Sequence, residues 1–318
     1  MSLLSPLDAT REPAPIDLIF KGLMRRYMQR VPDVQRIVAA MITDGLIGQV
    51  DDIINDHVAF RTMGVEGLGI QSLEKIFLHY GYQKKDDYHF KQKKLDAYWY
   101  SPPASRTDLP RVFISELRVD DLSADAQGVI RRYTDQVEGD PVDAIDLADP
   151  DAVDHFLHHP LWSTPTWEVY AQLREETEYG AWVLYNRYYL NHFTISVHAL
   201  PKPYDTIEQF NTFLTQHGIV LNDANGVIKT SADGMLIQSA TVAQKIETSF
   251  PTESGDQRSE TIAGSYVEFA QRDLLPGNED DKGEMAAKRR DGFDAGNADG
   301  IFESTFTTQT MKRDENPT

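Results

Sequence analysis

Apolar and polar residues follow one another along the chain with two different periods. Between residues 17 and 47 the apolar side chains recur every three to four positions, which predicts two helices separated at Pro32. Between residues 57 and 62 apolar and polar residues alternate, which predicts a half-buried strand. Helical spacing returns over residues 68–80. The first part of the chain is therefore predicted to contain both helices and strands.

The order of elements in this first part recurs after residue 188. The first copy has a strand at 57–62, a helix at 68–80 and strand-like runs at 88–100 and 111–119. We therefore predict an α+β fold built from paired βαβββ modules that close around a shared cleft. The second copy has a strand through His192, a helix at 206–217 and strand-like runs at 234–238, 242–247 and 265–272.

The segments around the two modules have a different character. The segment between the copies looks helical and irregular, with several prolines as breaks, and the tail after Pro276 is hydrophilic before it regains apolar residues. The predicted division is N-terminal helices at 1–50, a first βαβββ module at 51–119, a helical insertion at 120–186, a second βαβββ module at 187–275 and a C-terminal tail at 276–318 that is a candidate lid.

Cysteine content and charge limit the chemistry. With no cysteine in 318 residues, the chain can form no disulfide, thiolate ligand or iron–sulfur cluster, so any metal must be held by histidine and carboxylate. The net charge of -19 argues against a nucleic-acid partner, because phosphate binding needs clustered Lys and Arg. Because the negative net charge repels anions, local arginines have to form any site for an anionic substrate.

The hydropathy of the chain argues against a membrane partner. The longest apolar runs fall far short of the roughly 20 residues that cross a bilayer. Residues 1–6 lack a basic region followed by an apolar core. We therefore expect a soluble enzyme of the cytoplasm, and 41% hydrophobic residues are enough to build a core.

Two histidines occupy matching positions in the two modules. His57 follows Asp56 and His192 follows Asn191, each at the start of an alternating strand, and Glu268 lies among apolar neighbours in the last strand of the second module. Side chains that face one cleft from both modules can converge on one ion. Two imidazoles with one carboxylate suit Fe(II), Mn(II) or Zn(II). In non-haem Fe(II) oxygenases this set leaves positions open for substrate and dioxygen.

Glu116 is the residue of the first module that we align with Glu268. If Glu116 also binds the metal, the set becomes two histidines and two glutamates, which favours Lewis-acid isomerase or lyase chemistry. If it does not, oxygenase chemistry is favoured. The sequence leaves both alternatives open.

Arg61 is the candidate for substrate binding. It follows His57 by four residues, so both side chains point to the same face of a strand. The planar guanidinium can hold a substrate carboxylate through two hydrogen bonds. We therefore expect Arg61 to contact a carboxylate of a substrate bound at the metal.

Three segments together resemble the 2-oxoadipate dioxygenase/decarboxylase family, whose fold is related to the vicinal oxygen chelate superfamily. They are residues 57–62 (HVAFRT), 191–194 (NHFT) and 266–269 (YVEF). The similarity extends from about residue 15 to the end of the chain. It implies a vicinal oxygen chelate-like fold with a central metal cleft.

The resemblance also implies an activity. The expected enzyme is an Fe(II)-dependent dioxygenase/decarboxylase of lysine catabolism, which converts 2-oxoadipate and O2 to 2-hydroxyglutarate and CO2. By the same resemblance His57, His192 and Glu268 are the iron ligands and Arg61 binds the substrate. Two alternatives use the same fold: a glyoxalase-like metal-dependent lyase or isomerase, and a non-catalytic protein that binds a small molecule.

Overall fold

The computed structural model describes residues 3–4, 12–277 and 288–315. In these ranges the chain forms an eight-stranded sheet, a two-stranded sheet and helices that pack on both faces of the larger sheet. The helices are α1 (Pro15–Arg30), α2 (Pro32–Thr43), α3 (Ile70–His79), α4 (Ala124–Thr134), α5 (Pro150–His158), α6 (Trp167–Glu176), α7 (Glu178–Asn186), α8 (Ile207–Gln216), α9 (Ala295–Phe302), α10 (Thr307–Thr310) and α11 (Lys312–Glu315).

The strands divide between the two sheets. They are β1 (Asn55–Met63), β2 (Gln83–Phe90), β3 (Leu95–Ser101), β4 (Arg111–Leu117), β5 (His192–Ser196), β6 (Lys229–Thr230), β7 (Leu236–Ala240), β8 (Lys245–Pro251), β9 (Gln257–Ala263) and β10 (Tyr266–Arg272). The large sheet has the order β2-β3-β4-β1-β5-β10-β7-β6, while β8 and β9 pair with each other.

Two modules of the same topology form the large sheet. The first consists of β1, α3, β2, β3 and β4, and the second of β5, α8, β6, β7 and β10. In each module the first strand pairs in parallel with the last. Because β1 and β5 lie antiparallel at the centre of the sheet, an approximate two-fold rotation relates the modules. The predicted α+β fold of paired βαβββ modules is confirmed.

Two strand predictions are wrong in detail. The run at 88–100 is split between β2 and β3 by a turn in which Lys94 has a φ of 56°. The run at 242–247 does not join the large sheet, because β8 and β9 form a separate hairpin inserted between β7 and β10. Alternation in the sequence is the same for a strand in either sheet, so it does not reveal which neighbours a strand pairs with.

Apolar residues fill both faces of the large sheet. On one face α1, α2, α3 and α8 cover residues such as Phe60 and Phe193. On the other face the helices α4, α6 and α7 pack with Phe113, Trp182 and Phe302. The side chains of the candidate metal site belong to this second face, where the C-terminal segment also docks.

The predicted tail at 276–318 lies partly outside the described residues, which omit 278–287 and 316–318. Its remaining part returns to the body of the protein, where Ile301 and Phe302 of α9 are buried. The division of the chain into five segments stays a prediction. None of the helices in the described ranges has the length and apolarity needed to cross a membrane.

Candidate metal centre

The three residues expected to bind a metal lie together. His57 on β1, His192 on β5 and Glu268 on β10 are 1%, 6% and 1% exposed. The Nε2 atom of His192 is 3.3 Å from Nε2 of His57 and 3.0 Å from Oε2 of Glu268, and Nε2 of His57 is 3.4 Å from Oε1 of Glu268. The three side chains form the one cluster of potential ligands in the described part of the chain.

These separations fit a metal ion. Two atoms that each lie about 2.1 Å from one ion are about 3.0 Å apart at a right angle and about 3.4 Å apart at the tetrahedral angle. The separations of 3.3 Å between the two imidazole nitrogens and 3.0 Å from His192 to Oε2 of Glu268 fall in this interval, and so does the 3.4 Å from His57 to the other oxygen, Oε1. Two buried imidazoles and a buried carboxylate therefore form a donor set suited to Fe(II), Mn(II) or Zn(II).

The register of the central strands places the three side chains on one face. On the antiparallel pair β1 and β5, Ala59 is opposite His192, and His57 lies two residues from Ala59. On the parallel pair β5 and β10, Thr194 is opposite Glu268. Since alternate residues of a strand share a face, the pairing of the two modules brings the ligands to one point.

A buried ion pair holds the other ring nitrogen of His57. Its Nδ1 lies 2.8 Å from Oδ1 of Asp56, and Arg272 donates to both carboxylate oxygens of Asp56 at 2.7 and 2.8 Å. Burial alone would raise the pKa of Asp56, but Arg272 and Arg111 hold it well below its usual range. The ionised carboxylate can only accept, so Nδ1 of His57 donates and Nε2 faces the site.

His192 has a neutral partner. Its Nδ1 lies 3.0 Å from Oδ1 of Asn191. Burial lowers the pKa of His192, with Glu268 opposing the change. For His57 burial also acts to lower the pKa, but Glu268 and Asp56 outweigh it and the net shift is upward. The two imidazoles therefore differ in charge preference although they occupy matching positions.

Glu268 is ionised between these imidazoles. Burial alone would raise its pKa, but the neighbouring His57 and His192 lower the pKa to about 2. The ionised carboxylate is the form that binds a metal.

A small pocket opens onto the three side chains. Part of its wall comes from residues 293–302, so this described part of the predicted candidate lid lies over the site. The pocket is lined, besides the three ligands, by Phe113, Gln238, Tyr266, Phe293, Ala298, Ile301 and Phe302.

Arg61 lies beside this pocket and is 1% exposed. It donates to Oγ1 of Thr305 at 2.8 Å and to the carbonyl oxygen of Phe302 at 2.9 Å. Among the described residues it has no carboxylate partner, and neither its Nε nor the hydroxyl of Tyr266 has a hydrogen-bond partner of standard geometry. Burial lowers the pKa of Arg61. A buried cation with an open donor is thus placed next to two pocket residues, Phe302 and Tyr266.

Glu116 does not join the cluster. Its Oε2 accepts a hydrogen bond of 2.8 Å from the backbone N–H of Ile70, at the start of α3. Burial raises the pKa of Glu116, although this hydrogen bond opposes the rise. Its position indicates a role in capping a helix.

The alignment of Glu116 with Glu268 is wrong, and the sheet register explains why. Glu268 lies two residues after the position on β10 that pairs with His192. The equivalent position in the first module lies two residues after the one on β4 that pairs with His57. Phe113 therefore occupies in the first module the position of Glu268 in the second. Glu116 lies three residues beyond Phe113, and an odd offset places it on the opposite face of the strand.

Sequence reasoning missed several residues of this site. Arg272 follows Glu268 by four residues, the spacing that identified Arg61, so the same rule would have found it. Thr194, whose Oγ1 is 3.0 Å from Nε2 of His57, lies two residues after a predicted ligand and could be found likewise. Gln238 reaches the site from a strand that only the tertiary pairing brings close, so no local signal marks it.

Comparisons with known proteins agree on one family. Residues 19–281 match the model of the 2-oxoadipate dioxygenase/decarboxylase family. A relative from Arabidopsis thaliana, the chloroplastic 2-oxoadipate dioxygenase/decarboxylase, is 42% identical over 301 residues, which cover 90% of this chain and 76% of the relative. The crystal structure of hydroxyglutarate synthase from Oryza sativa, in complex with 2-oxoadipate, has a TM-score of 0.82 and 35% identity and covers 96% of this chain and 100% of that one.

A more distant structure shares the fold alone. A putative glyoxalase superfamily protein from Ralstonia eutropha has a TM-score of 0.69 at 20% identity, and the match covers 93% of each chain. This agrees with the expected vicinal oxygen chelate-like architecture.

The expectation of a cytoplasmic enzyme is contradicted. The Arabidopsis relative is named as a chloroplastic protein. The expectation rested on the lack of long apolar runs and of an export signal in residues 1–6, and neither feature distinguishes the cytoplasm from the interior of a plastid.

Proposed function

The chain belongs to the 2-oxoadipate dioxygenase/decarboxylase family, and on that basis we propose that it converts 2-oxoadipate and O2 to 2-hydroxyglutarate and CO2. The observation that carries this proposal is the buried group of His57, His192 and Glu268 facing a small pocket. The reaction balances as follows. The carboxylate next to the keto group leaves as CO2, one oxygen atom of O2 enters the new carboxylate, and the other becomes the hydroxyl group.

We propose His57, His192 and Glu268 as the ligands of Fe(II). When bound, Fe(II) supplies a Lewis acid for the 2-oxo acid and electrons for the reduction of dioxygen. The donor set suits Mn(II) and Zn(II) as well, so the support for iron comes from the reaction, because Zn(II) has no redox chemistry. Three protein ligands leave the other positions free for substrate and dioxygen.

The remaining pocket residues orient the substrate and exclude water. Phe113, Phe293 and Phe302 form an apolar wall that keeps water from the reacting atoms. Burial raises the pKa of Tyr266, which therefore keeps its proton. Arg61 pairs with the distal carboxylate of the substrate, since that carboxylate would supply the partner that this buried guanidinium lacks among the described residues.

The experiment that tests this function is turnover under 18O2. Anaerobically Fe(II)-loaded protein is given 2-oxoadipate and then labelled dioxygen. We expect oxygen uptake matched by CO2 release, with both labelled atoms in 2-hydroxyglutarate and none in CO2. His192→Ala should abolish uptake, while Glu116→Gln, matched in type but remote from the cluster, should retain it.

Two results would contradict the proposal. One is metal-loaded protein that binds 2-oxoadipate without consuming oxygen. The other is conversion of a substrate under anaerobic conditions, which would favour the metal-dependent isomerase or lyase alternative.

A further inference from the structure

One oxygen atom of Glu268 already has a partner within the protein. The side-chain nitrogen Nε2 of Gln238 donates to Oε1 of Glu268 at 2.6 Å. The other oxygen, Oε2, lies 3.0 Å from Nε2 of His192. Gln238 and Glu268 are 3% and 1% exposed, so water does not compete for this hydrogen bond. Oε1 also lies 3.4 Å from Nε2 of His57. Both oxygens are therefore close to an imidazole, but Oε1 is the one that accepts the hydrogen bond from Gln238.

Asn297 fixes the direction of the Gln238 amide. Its Nδ2 donates to the backbone oxygen of Leu236 at 3.0 Å and to Oε1 of Gln238 at 2.9 Å. A backbone carbonyl can only accept, so the group of Asn297 that faces it must be the amide nitrogen. Gln238 consequently presents its oxygen to Asn297 and its nitrogen to Glu268.

Asn297 itself is held by the segment that covers the pocket. It lies in the first turn of α9, where its backbone N–H donates to Oδ1 of Asp294 at 3.1 Å, and it is 2% exposed. Ala298 and Ile301 of the same helix line the pocket. One helix thus both forms the pocket wall and fixes the partner of Glu268.

We propose that Gln238 is a positioning residue that holds Glu268 to a single metal bond through Oε2, and that Asn297 fixes the amide of Gln238 for this purpose. The inference rests on the proposed function, since it concerns the metal. A hydrogen bond to an ionised carboxylate is among the strong ones, so it competes with the metal for Oε1.

The single bond has a chemical consequence. An octahedral ion with three protein ligands keeps three positions, which a chelating 2-oxo acid and dioxygen together fill. A glutamate bound through both oxygens would take one of these three positions. Substrate could still chelate the ion, but the position for dioxygen would be lost.

The test compares metal-loaded crystals of the wild type and Gln238→Met, which keeps the length of the side chain but removes the donor. With Co(II) as the probe, we expect one oxygen of Glu268 at roughly 2.0–2.2 Å from the metal in the wild type, and both oxygens at coordination distance in the variant. With Fe(II), kcat for 2-oxoadipate should fall about tenfold to a hundredfold while KM changes little.

Asn297→Leu provides a second route to the same result, since it leaves Gln238 in place but frees its amide. It should lower kcat by less than Gln238→Met does, and it carries the test if Gln238→Met does not fold. Co(II) bound by both oxygens of Glu268 in the wild type, or by one oxygen in the variants that fold, would overturn the inference. Absence of metal from the wild-type cluster would instead contradict the proposed function itself.

Discussion

The two βαβββ modules share a topology but contribute unequally to the candidate site. The first provides His57, and the second provides both His192 and Glu268. At the position of Glu268 the first module has Phe113, which lines the pocket instead. A strictly symmetric pair would place four ligands around one ion. Replacement of one carboxylate by an aromatic ring gives a site with an open, apolar side, which is what binding of substrate and dioxygen requires.

The residues around the histidines differ between the modules in the same way. His57 is held by the charged Asp56, which pairs with Arg272 from the second module, whereas His192 is held by the neutral Asn191. The duplicated fold therefore fixes the positions of the side chains, and the residue type at each matching position determines its chemistry.

Removal of the carboxylate should have the largest effect on this comparison. In Glu268→Gln the cluster loses its negative charge and keeps only a neutral amide oxygen at this position, so we expect metal affinity to fall by more than the roughly hundredfold that loss of an outer-shell partner can cost. Metal content after dialysis measures this effect. Glu116→Gln in the other module is the matched control and should bind metal normally; equal losses in both variants would restore Glu116 as a ligand.

Restoring symmetry should damage turnover rather than metal binding. Phe113→Glu places a second carboxylate at the position equivalent to Glu268. We expect metal to be retained, while the oxygen consumption rate with 2-oxoadipate falls by more than about tenfold because the open side is filled. Oxygen consumption at the wild-type rate would show that Phe113 does not face the coordination sphere.

The two partners of the histidines should differ in their contribution to stability. Asp56→Ala leaves the guanidinium of Arg272 buried without its partner and should lower the free energy of unfolding by about 3–5 kcal/mol. Asn191→Ala removes a neutral hydrogen bond and should cost about 1–2 kcal/mol. Urea unfolding of the metal-free proteins compares the two values. Equal costs would contradict the asymmetry.

Arg61 distinguishes the first strands of the two modules, because the matching position in the second is Ser196. Arg61→Ala should raise KM for 2-oxoadipate about tenfold or more, since a hydrogen bond to a charged group contributes about 1.5–3 kcal/mol, with a smaller change in kcat. Steady-state kinetics measure both constants. Ser196→Ala should leave both unchanged, and normal saturation of the Arg61 variant would exclude its role in substrate binding.

The smallest predicted difference between the modules is the pH at which their histidines, His57 and His192, take up a proton in the metal-free protein. The pKa of His57 is raised and that of His192 is lowered. The protonated form of His57 therefore stabilises the fold below its unfolded pKa of about 6.5, and this stabilisation is lost as pH rises through the folded pKa. For His192 the stabilisation is present above about pH 6.5 and is lost as pH falls towards its lower folded pKa.

Imidazole NMR signals followed against pH test this order. We expect His57 to take up its proton at a higher pH than His192, and Asp56→Asn to bring the two values closer. Metal binding should strengthen as pH rises, because His57 must give up a proton to bind. The reverse order of the two histidines would contradict the assignment of their partners.

Much of the site was predictable because it depends on local spacing. The placement of His57 and Arg61 on one face follows from strand geometry alone, and the matching position of His192 follows from the repeat. The counterpart of Glu268 was misplaced at Glu116, because the sequence does not contain the register of β4 against β1. Gln238 and Phe293 reach the pocket through tertiary contacts between segments that are distant in the sequence, and such contacts leave no periodic signal.

The most direct test of the central claim is anomalous diffraction at the iron edge from crystals loaded with Fe(II) under anaerobic conditions. We predict a single strong peak at bonding distance, about 2.0–2.2 Å, from Nε2 of His57, Nε2 of His192 and one oxygen of Glu268, facing the ring of Phe113 across the open side. A peak elsewhere, or one that includes a ligand from Glu116, would contradict the claim that the two modules hold one asymmetric metal centre.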